Sequence, residues 1–145
     1  MSGAGRWGSL AVAAACSAVL PLAAQDWVAP PEERTRLNPI AVSADALQKG
    51  RFLYRKNCQR CHGEKGKGDG PSGRYGVKPP EDLTNPAKQA KLTDGEIFWK
   101  VSTGLRDGAD VIMPAYKREI PADEDRWKVV LFVRTLALPP PSPNR

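Results

Sequence analysis

Two cysteines and the only histidine of this sequence stand together in the run Cys58-Gln59-Arg60-Cys61-His62, which has the pattern C-x-x-C-H. In one helical turn Cys61 lies about 60° from Cys58 and His62 about 40° to the other side, so all three side chains point the same way. The two thiols can then bond to the two vinyl groups of a haem while the imidazole binds its iron. The spacing therefore predicts covalent attachment of a c-type haem at Cys58 and Cys61, with His62 as an iron ligand.

Three other kinds of site use the same residue types, and each requires something further. A redox-active C-x-x-C pair sits at the start of a helix in a βαβ unit, whereas these cysteines follow a predicted helix and no strand pattern is visible. A zinc site requires four ligands, and the sequence after residue 24 offers two thiols and one imidazole. A structural disulfide between Cys58 and Cys61 stays open, but it gives His62 no role.

Met113 is the best candidate for a second iron ligand. It is the only methionine after Met1, and it precedes Pro114 in a polar loop. A lone methionine is ordinarily a core residue that fills gaps in the packing. Such a residue is expected in the apolar stripe of a helix, whereas Met113 lies in a predicted polar loop. We therefore predict that His62 and Met113 are the two axial ligands, a pair that raises the haem potential. The alternative is an open, five-coordinate iron, as in a peroxidase-like or sensor domain, although no second histidine is present for peroxidase chemistry.

Composition and charge exclude several functional classes. The chain has 145 residues, with 22 basic and 16 acidic side chains and a formal net charge of +6. The basic residues are scattered and not gathered in a stripe with aromatic residues, which argues against nucleic-acid binding. The single histidine excludes a three-histidine zinc enzyme, and three cysteines exclude a disulfide-rich scaffold. The basic balance favours redox protein partners with acidic docking surfaces.

The first residues have the order of a secretory signal peptide. Residues 1–24 contain a basic start with Arg6, then an apolar run, then small residues up to Ala24. We predict cleavage after Ala24 and a periplasmic location. Pro21 interrupts the Ala-rich run, which makes it a poor membrane span. Two alternatives stay open: membrane anchoring by an uncleaved leader, and lipidation at Cys16.

The elements that position the site are predicted to be helices joined by long loops. Residues 25–42 are predicted as an extended Pro-rich arm and residues 139–145 as a Pro-rich tail. Between them, residues 43–138 are predicted to form one domain with three main helices. Each helix is predicted to begin at a capping, proline or acidic residue: Ser43, Thr93, and Pro121 or Asp123.

One glycine and two loops carry further expectations. Gly50 lies inside the first helix, where glycine costs about 1 kcal/mol relative to alanine. We therefore expect another helix to approach closely at Gly50. Residues 63–91 and residues 106–116 are predicted as loops, and no strand alternation is visible.

Together these features resemble a class I, mono-haem c-type cytochrome over residues 44–138. The residues that carry the resemblance are Gly50, Tyr54, Cys58, Cys61, His62, the run 66–71, Met113, Pro114 and the stretch 127–136. The resemblance implies an all-α, cytochrome c-like fold, with three main helices around one covalently attached haem and long irregular loops. It also implies that the first and last helices cross, so that Gly50 and Tyr54 would meet Phe132.

The resemblance implies further contacts around the haem. The carbonyl of Pro71 would accept a hydrogen bond from the ring nitrogen of His62 that faces away from the iron. Trp99 and residues 78–80 would contact the haem propionates and the haem edge.

The implied function is periplasmic electron transfer between redox protein partners. One electron would pass through the exposed haem edge, and because no small-molecule substrate is converted the protein would not be an enzyme. The alternative is a haem subunit of a larger membrane respiratory complex, with the Pro-rich arm and tail as docking segments.

Overall fold

The structure is a computed structural model that describes residues 27–139. The predicted leader with its cleavage at Ala24, the alternative lipidation at Cys16, and residues 140–145 of the predicted tail lie outside the described residues. The described chain contains six α-helices, one 3₁₀ turn and a two-stranded antiparallel sheet. In chain order these are α1 (Pro31–Arg34), α2 (Ala44–Asn57), α3 (Gln59–His62), a 3₁₀ turn (Gly73–Tyr75), α4 (Pro86–Gln89), α5 (Asp94–Thr103), β1 (Leu105–Asp107), β2 (Asp110–Met113) and α6 (Asp123–Leu136).

The three long helices begin where the sequence predicts. The Ser43 hydroxyl accepts a hydrogen bond from the Ala46 amide at 3.1 Å and caps α2. At α5, the Glu96 amide donates to the Thr93 hydroxyl at 3.1 Å, and the Glu96 carboxylate accepts from the Thr93 amide at 3.3 Å. This reciprocal pair is the predicted capping box. α6 begins at Asp123, with three acidic residues at its positive end.

Helices α2 and α6 cross in close contact at Gly50. A Cβ atom at Gly50 would collide with the Lys128 carbonyl and would lie 3.1 Å from the Cβ of Phe132. One turn further along α2, the Tyr54 ring lies 5.1 Å from the Phe132 ring, centroid to centroid. The predicted close approach at Gly50 and the predicted contact of Gly50 and Tyr54 with Phe132 are both confirmed.

Buried side chains of α2, α5 and α6, with three more from the segments between them, form one hydrophobic core. On α5 and α6, the rings of Phe98 and Trp127 stack with their centroids 4.1 Å apart. The buried residues of this core are Leu53, Tyr54, Cys58, Ile97, Phe98, Val101, Tyr116, Ile120, Trp127, Val129, Val130 and Val133. The mostly helical architecture confirms the predicted all-α, cytochrome c-like fold. Within residues 27–139, no helix combines the length and the apolar character needed to cross a membrane.

A small hairpin occupies a segment predicted as a loop. Strands β1 and β2 pair in antiparallel register, with Asp107 opposite Asp110 and Leu105 opposite Met113. Gly108 has a φ of +56° in the two-residue turn between them, a backbone conformation that glycine adopts readily. The prediction that the chain has no strand was therefore wrong, because strands of three and four residues are too short to show an alternating pattern.

The amino-terminal arm contains a helical turn and packs against the rest of the fold. Pro31 occupies the first position of α1, where its missing amide hydrogen costs no helical hydrogen bond. Further along, the Asn38 side-chain amide donates to the Trp127 carbonyl at 3.1 Å. The Arg36 guanidinium lies 4.6 Å from the centre of the Phe98 ring. The arm is therefore not extended throughout, and it covers part of α5 and α6.

Candidate haem site

The C-x-x-C-H run forms a separate helical turn, α3, directly after α2. The amides of Cys61 and His62 both donate to the Cys58 carbonyl, at 3.0 and 2.9 Å. The run therefore has the helical geometry that the spacing predicts. Cys58 is buried, Cys61 is half-buried, and both are free thiols, so the alternative disulfide between them is not formed.

The glycine-rich loop after α3 supplies hydrogen bonds to the last carbonyls of that turn. A helix end leaves such carbonyls without intrahelical partners. The three amide-to-carbonyl pairs are Gly68 to His62 at 2.8 Å, Gly70 to Cys61 at 3.1 Å and Ser72 to Arg60 at 2.8 Å. A Cβ atom at Gly70 would lie only 2.6 Å from the Arg60 carbonyl oxygen, so the loop backbone contacts α3 directly at this glycine.

The imidazole of His62 is oriented by a backbone carbonyl. Its Nδ1 lies 3.1 Å from the Glu81 carbonyl oxygen, and a proton on Nδ1 donates to this acceptor and leaves Nε2 free. Burial lowers the pKa of His62, which favours the neutral ring that binds metals. The acceptor is the backbone carbonyl of Glu81 and not that of Pro71, which the resemblance implied. Pro71 is an exposed residue. The long loop turns back on α3, where Pro80 packs against Gly73, and so brings the Glu81 carbonyl to the ring.

Two tyrosine hydroxyls hold the two ends of α3. The Tyr116 hydroxyl donates to the Asn57 carbonyl at 2.8 Å, just before the turn. The Tyr54 hydroxyl donates to the Gly63 carbonyl at 2.7 Å, just after it. Burial raises the pKa of Tyr116 to about 12 and raises that of Tyr54 as well, so both hydroxyls keep their protons at neutral pH. Tyr116 was not among the residues predicted for the site, although it is the sole aromatic residue in the loop after β2.

The remaining predicted site residues lie on different elements. Met113 is the last residue of β2, half-buried, and packs against the core that includes Cys58. Trp99 lies half-buried on α5, and its carbonyl accepts a hydrogen bond from the Thr103 hydroxyl at 2.8 Å. The structure thus brings Cys58, Cys61 and His62 onto one turn and places Trp99 on α5 and Met113 on β2, both later in the chain.

The chemistry of these donors fits a haem of the c type. Burial, with a smaller contribution from Cys61, raises the pKa of Cys58 to about 12, so before a haem is attached its sulfur is a neutral thiol at neutral pH. A redox-active C-x-x-C pair has the opposite character, because its reactive cysteine has a lowered pKa. In the part of the chain that the structure describes, no three His, Cys, Asp or Glu side chains are grouped to hold a metal ion.

A mostly helical fold, with a C-x-x-C-H turn directly after one of two crossing helices and a long glycine-rich loop, defines a c-type cytochrome. Residues 45–133 match the model of the family described as cytochrome c oxidase, cbb3-type, subunit III. The matched region is more than half of the chain, and the chain belongs to this family. The protein carries covalently bound haem c, with its iron.

A solved structure of similar fold comes from the reducing HAO-like protein complex of Kuenenia stuttgartiensis. The two chains are 25% identical and superpose with a TM-score of 0.55. The similarity covers 69% of this chain and 47% of that one, so this chain spans about half the length of its neighbour. A comparison with curated proteins gives no match.

Proposed function

We propose that the protein is a class I electron carrier with a single haem. The observation that carries this proposal is the arrangement of α3, where two free thiols and an imidazole with a free Nε2 share one helical turn. Cys58 and Cys61 would hold the haem through thioether bonds, and His62 would bind the iron. A haem c supplies a one-electron couple, and no residue of the chain needs to bind or convert a small-molecule substrate.

Met113 would supply the second protein ligand to the iron. Its thioether is a soft donor, and ligation by methionine together with histidine raises the haem potential. Its place at the end of β2, packed against the core that contains Cys58, supports this assignment. Lys117, shortly after Met113 in the sequence, carries an amine that could bind the iron instead, and it is exposed.

The chain's own residues would fix the ligand geometry. The Glu81 carbonyl orients the His62 ring and sets which nitrogen carries the proton, as hydrogen-bond partners of metal-binding histidines do. The hydroxyls of Tyr54 and Tyr116 hold the backbone on both sides of the turn. A site held from several elements can change oxidation state with little movement, which suits a carrier.

Redox protein partners with acidic surfaces would receive or deliver the electron. Arg55, near the end of α2, and Arg60, in α3, are exposed. The whole chain carries a formal net charge of +6. Such a charge steers an acidic partner and raises the rate of encounter at low salt. The exposed haem edge would then be the point of electron transfer.

We propose a periplasmic location, with the leader removed after Ala24. Protein exported from a host with a haem-attachment system should begin at Gln25 when its amino terminus is sequenced. A lipid on Cys16, or a leader retained in the membrane fraction, would replace this assignment with a membrane-anchored one.

A second candidate is a haem subunit of a larger membrane respiratory complex. It is favoured by the family description, which names a subunit of an oxidase, and by the solved neighbour, which comes from a protein complex. Purification from solubilised membranes distinguishes the two candidates. A stoichiometric assembly supports the subunit, whereas an unaccompanied protein supports the free carrier.

Two measurements test the haem assignment directly. After extraction with acidified acetone the haem should stay on the protein, and the intact mass should exceed the polypeptide by one haem. Extractable haem, or the mass of two haems, would contradict a single attachment at Cys58 and Cys61. The spectrum of the reduced protein should not change with carbon monoxide. A change in wild-type protein would instead support an open iron position.

A further inference from the structure

Trp27, the first described residue of the amino-terminal arm, is bound to the turn after α5. The Trp27 indole Nε1 donates to the Gly104 carbonyl at 2.9 Å, across 77 positions of sequence. The Lys100 ammonium lies 4.8 Å from the centre of the same indole, and the neighbouring Ala29 is buried. The Thr103 hydroxyl is a poorer donor to this carbonyl, because it lies 3.5 Å away and bonds to Trp99 at 2.8 Å.

Gly104 connects this tryptophan contact to Met113. Its φ of +66° ends α5 in a conformation that favours glycine. A Cβ atom at Gly104 would collide with the Met113 carbonyl and lie 2.6 Å from the Ala115 amide. The next residue, Leu105, pairs with Met113 across the hairpin. The Gly104 carbonyl therefore contacts Trp27, and the Gly104 Cα lies against the backbone of Met113.

The rest of the arm is held by contacts that do not involve Trp27. The Arg36 guanidinium lies 5.3 Å from the centre of the Trp127 ring, and Asn38 donates to the Trp127 carbonyl. A Cβ atom at Gly95 would collide with the Glu33 carbonyl, so the arm backbone also lies directly on α5. Loss of the indole hydrogen bond alone therefore leaves the arm in place and changes only the turn at Gly104.

We propose that Trp27 is a positioning residue for Met113. The indole hydrogen bond fixes the Gly104 peptide, and this peptide fixes the strand that ends in Met113. The functional part of this inference rests on the proposed role of Met113 as an iron ligand. The mechanical part, that Trp27 steadies the hairpin, stands on the contacts of Gly104 alone.

Hydrogen exchange in the holoprotein tests the mechanical part. Trp27→Phe removes the indole donor and keeps an aromatic ring beside Lys100. Amides of β1 and β2 should exchange about threefold to tenfold faster, the effect of losing one partly buried hydrogen bond. Leu37→Ala is the matched control, since Leu37 is in the same arm and 86% exposed, and it should leave these amides unchanged. Equal acceleration throughout the core, or no acceleration in the hairpin, would overturn the inference.

An optical measurement tests the link to the iron ligand. A ferric iron bound to a thioether has a weak charge-transfer band in the far red. In Trp27→Phe this band should disappear at a lower urea concentration than in wild type, while the helical signal is retained. If wild-type protein lacks the band, the proposed ligand role of Met113 fails, and the exchange experiment still decides the role of Trp27. If the band is present and equally resistant in both proteins, Trp27 does not position Met113.

Discussion

At the scale of single residues, the two proposed iron ligands differ in how they are held: one is fixed by the backbone and the other depends on a strand. His62 bonds to the Glu81 carbonyl and sits on a turn whose carbonyls are hydrogen-bonded to the glycine loop. Met113 is held at the end of a two-stranded hairpin, a small element with one further strand to support it. If Met113 binds the iron as proposed, its thioether is therefore the ligand that substitution should displace most readily.

Replacement of Met113 should change the iron site without removing the haem. In Met113→Ala we expect loss of the far-red band, a lower midpoint potential and binding of carbon monoxide to the ferrous protein. The potential should fall because a thioether favours ferrous over ferric iron. Spectra with and without carbon monoxide, together with a redox titration, measure all three effects.

Met113→His is the matched variant for this experiment. It should keep two axial ligands and lower the potential, and it should not admit carbon monoxide. If Met113→Ala retains the far-red band, methionine is not the ligand. If Lys117→Ala instead opens the iron to carbon monoxide, a lysine is bound in the native protein.

The Tyr116 hydroxyl should stabilise the start of α3. Tyr116→Phe removes the donor to the Asn57 carbonyl and keeps the buried ring. The free energy of unfolding should therefore fall by about 1 kcal/mol. Tyr75→Phe is the control, because Tyr75 is 91% exposed. Urea unfolding of the two variants measures the difference. Equal stability of both variants would show that the Tyr116 hydroxyl contributes nothing net.

At the scale of elements, the crossing of α2 and α6 sets the frame that carries α3. Gly50→Ala should destabilise the protein by about 1–2 kcal/mol, since overpacking exceeds the gain in helix propensity of about 1 kcal/mol. The reason is that a methyl group at this position meets the Lys128 carbonyl. Gln48→Ala, at an exposed position of the same helix, should be nearly neutral. Thermal or urea unfolding gives both values, and a stabilised Gly50→Ala would contradict the close packing.

The helices could be predicted because their signals are local. Ser43, the pair Thr93 and Glu96, and the acidic start of α6 each act within one turn of their own helix. Gly50 predicted a tertiary contact as well, because a glycine inside a helix has a cost that close packing can explain. The spacing of the C-x-x-C-H run likewise predicted a helical turn with three side chains on one side.

The features that were missed depend on the path of the chain in space. The acceptor for His62 is set by how the long loop folds back; the family resemblance implied the carbonyl of Pro71, whereas the ring bonds to that of Glu81. The hairpin had one local signal, Gly108, because glycine is preferred at the first position of a two-residue turn between strands. The role of Tyr116 required knowing that the loop after β2 lies beside the end of α2.

At the scale of the whole molecule, the covalent haem and the polypeptide are expected to depend on each other for stability. Helices α2, α5 and α6 form the core, and long stretches between them have little regular structure. A small domain of this kind buries a limited apolar surface by itself. A group that binds only the folded chain adds its binding free energy to the stability of the fold.

Removal of both attachment cysteines should therefore remove cooperative unfolding. In Cys58→Ala/Cys61→Ala, the haem is no longer bonded, and Cys58 also leaves a small gap in the core, so we expect a broad transition in place of a single sharp one. Circular dichroism during heating measures this. The wild-type chain made without haem attachment is the control, because it lacks the haem but keeps both thiols. If that control also melts broadly, the haem supplies the cooperativity; a sharp melt of either haem-free chain would show that the polypeptide core is sufficient by itself.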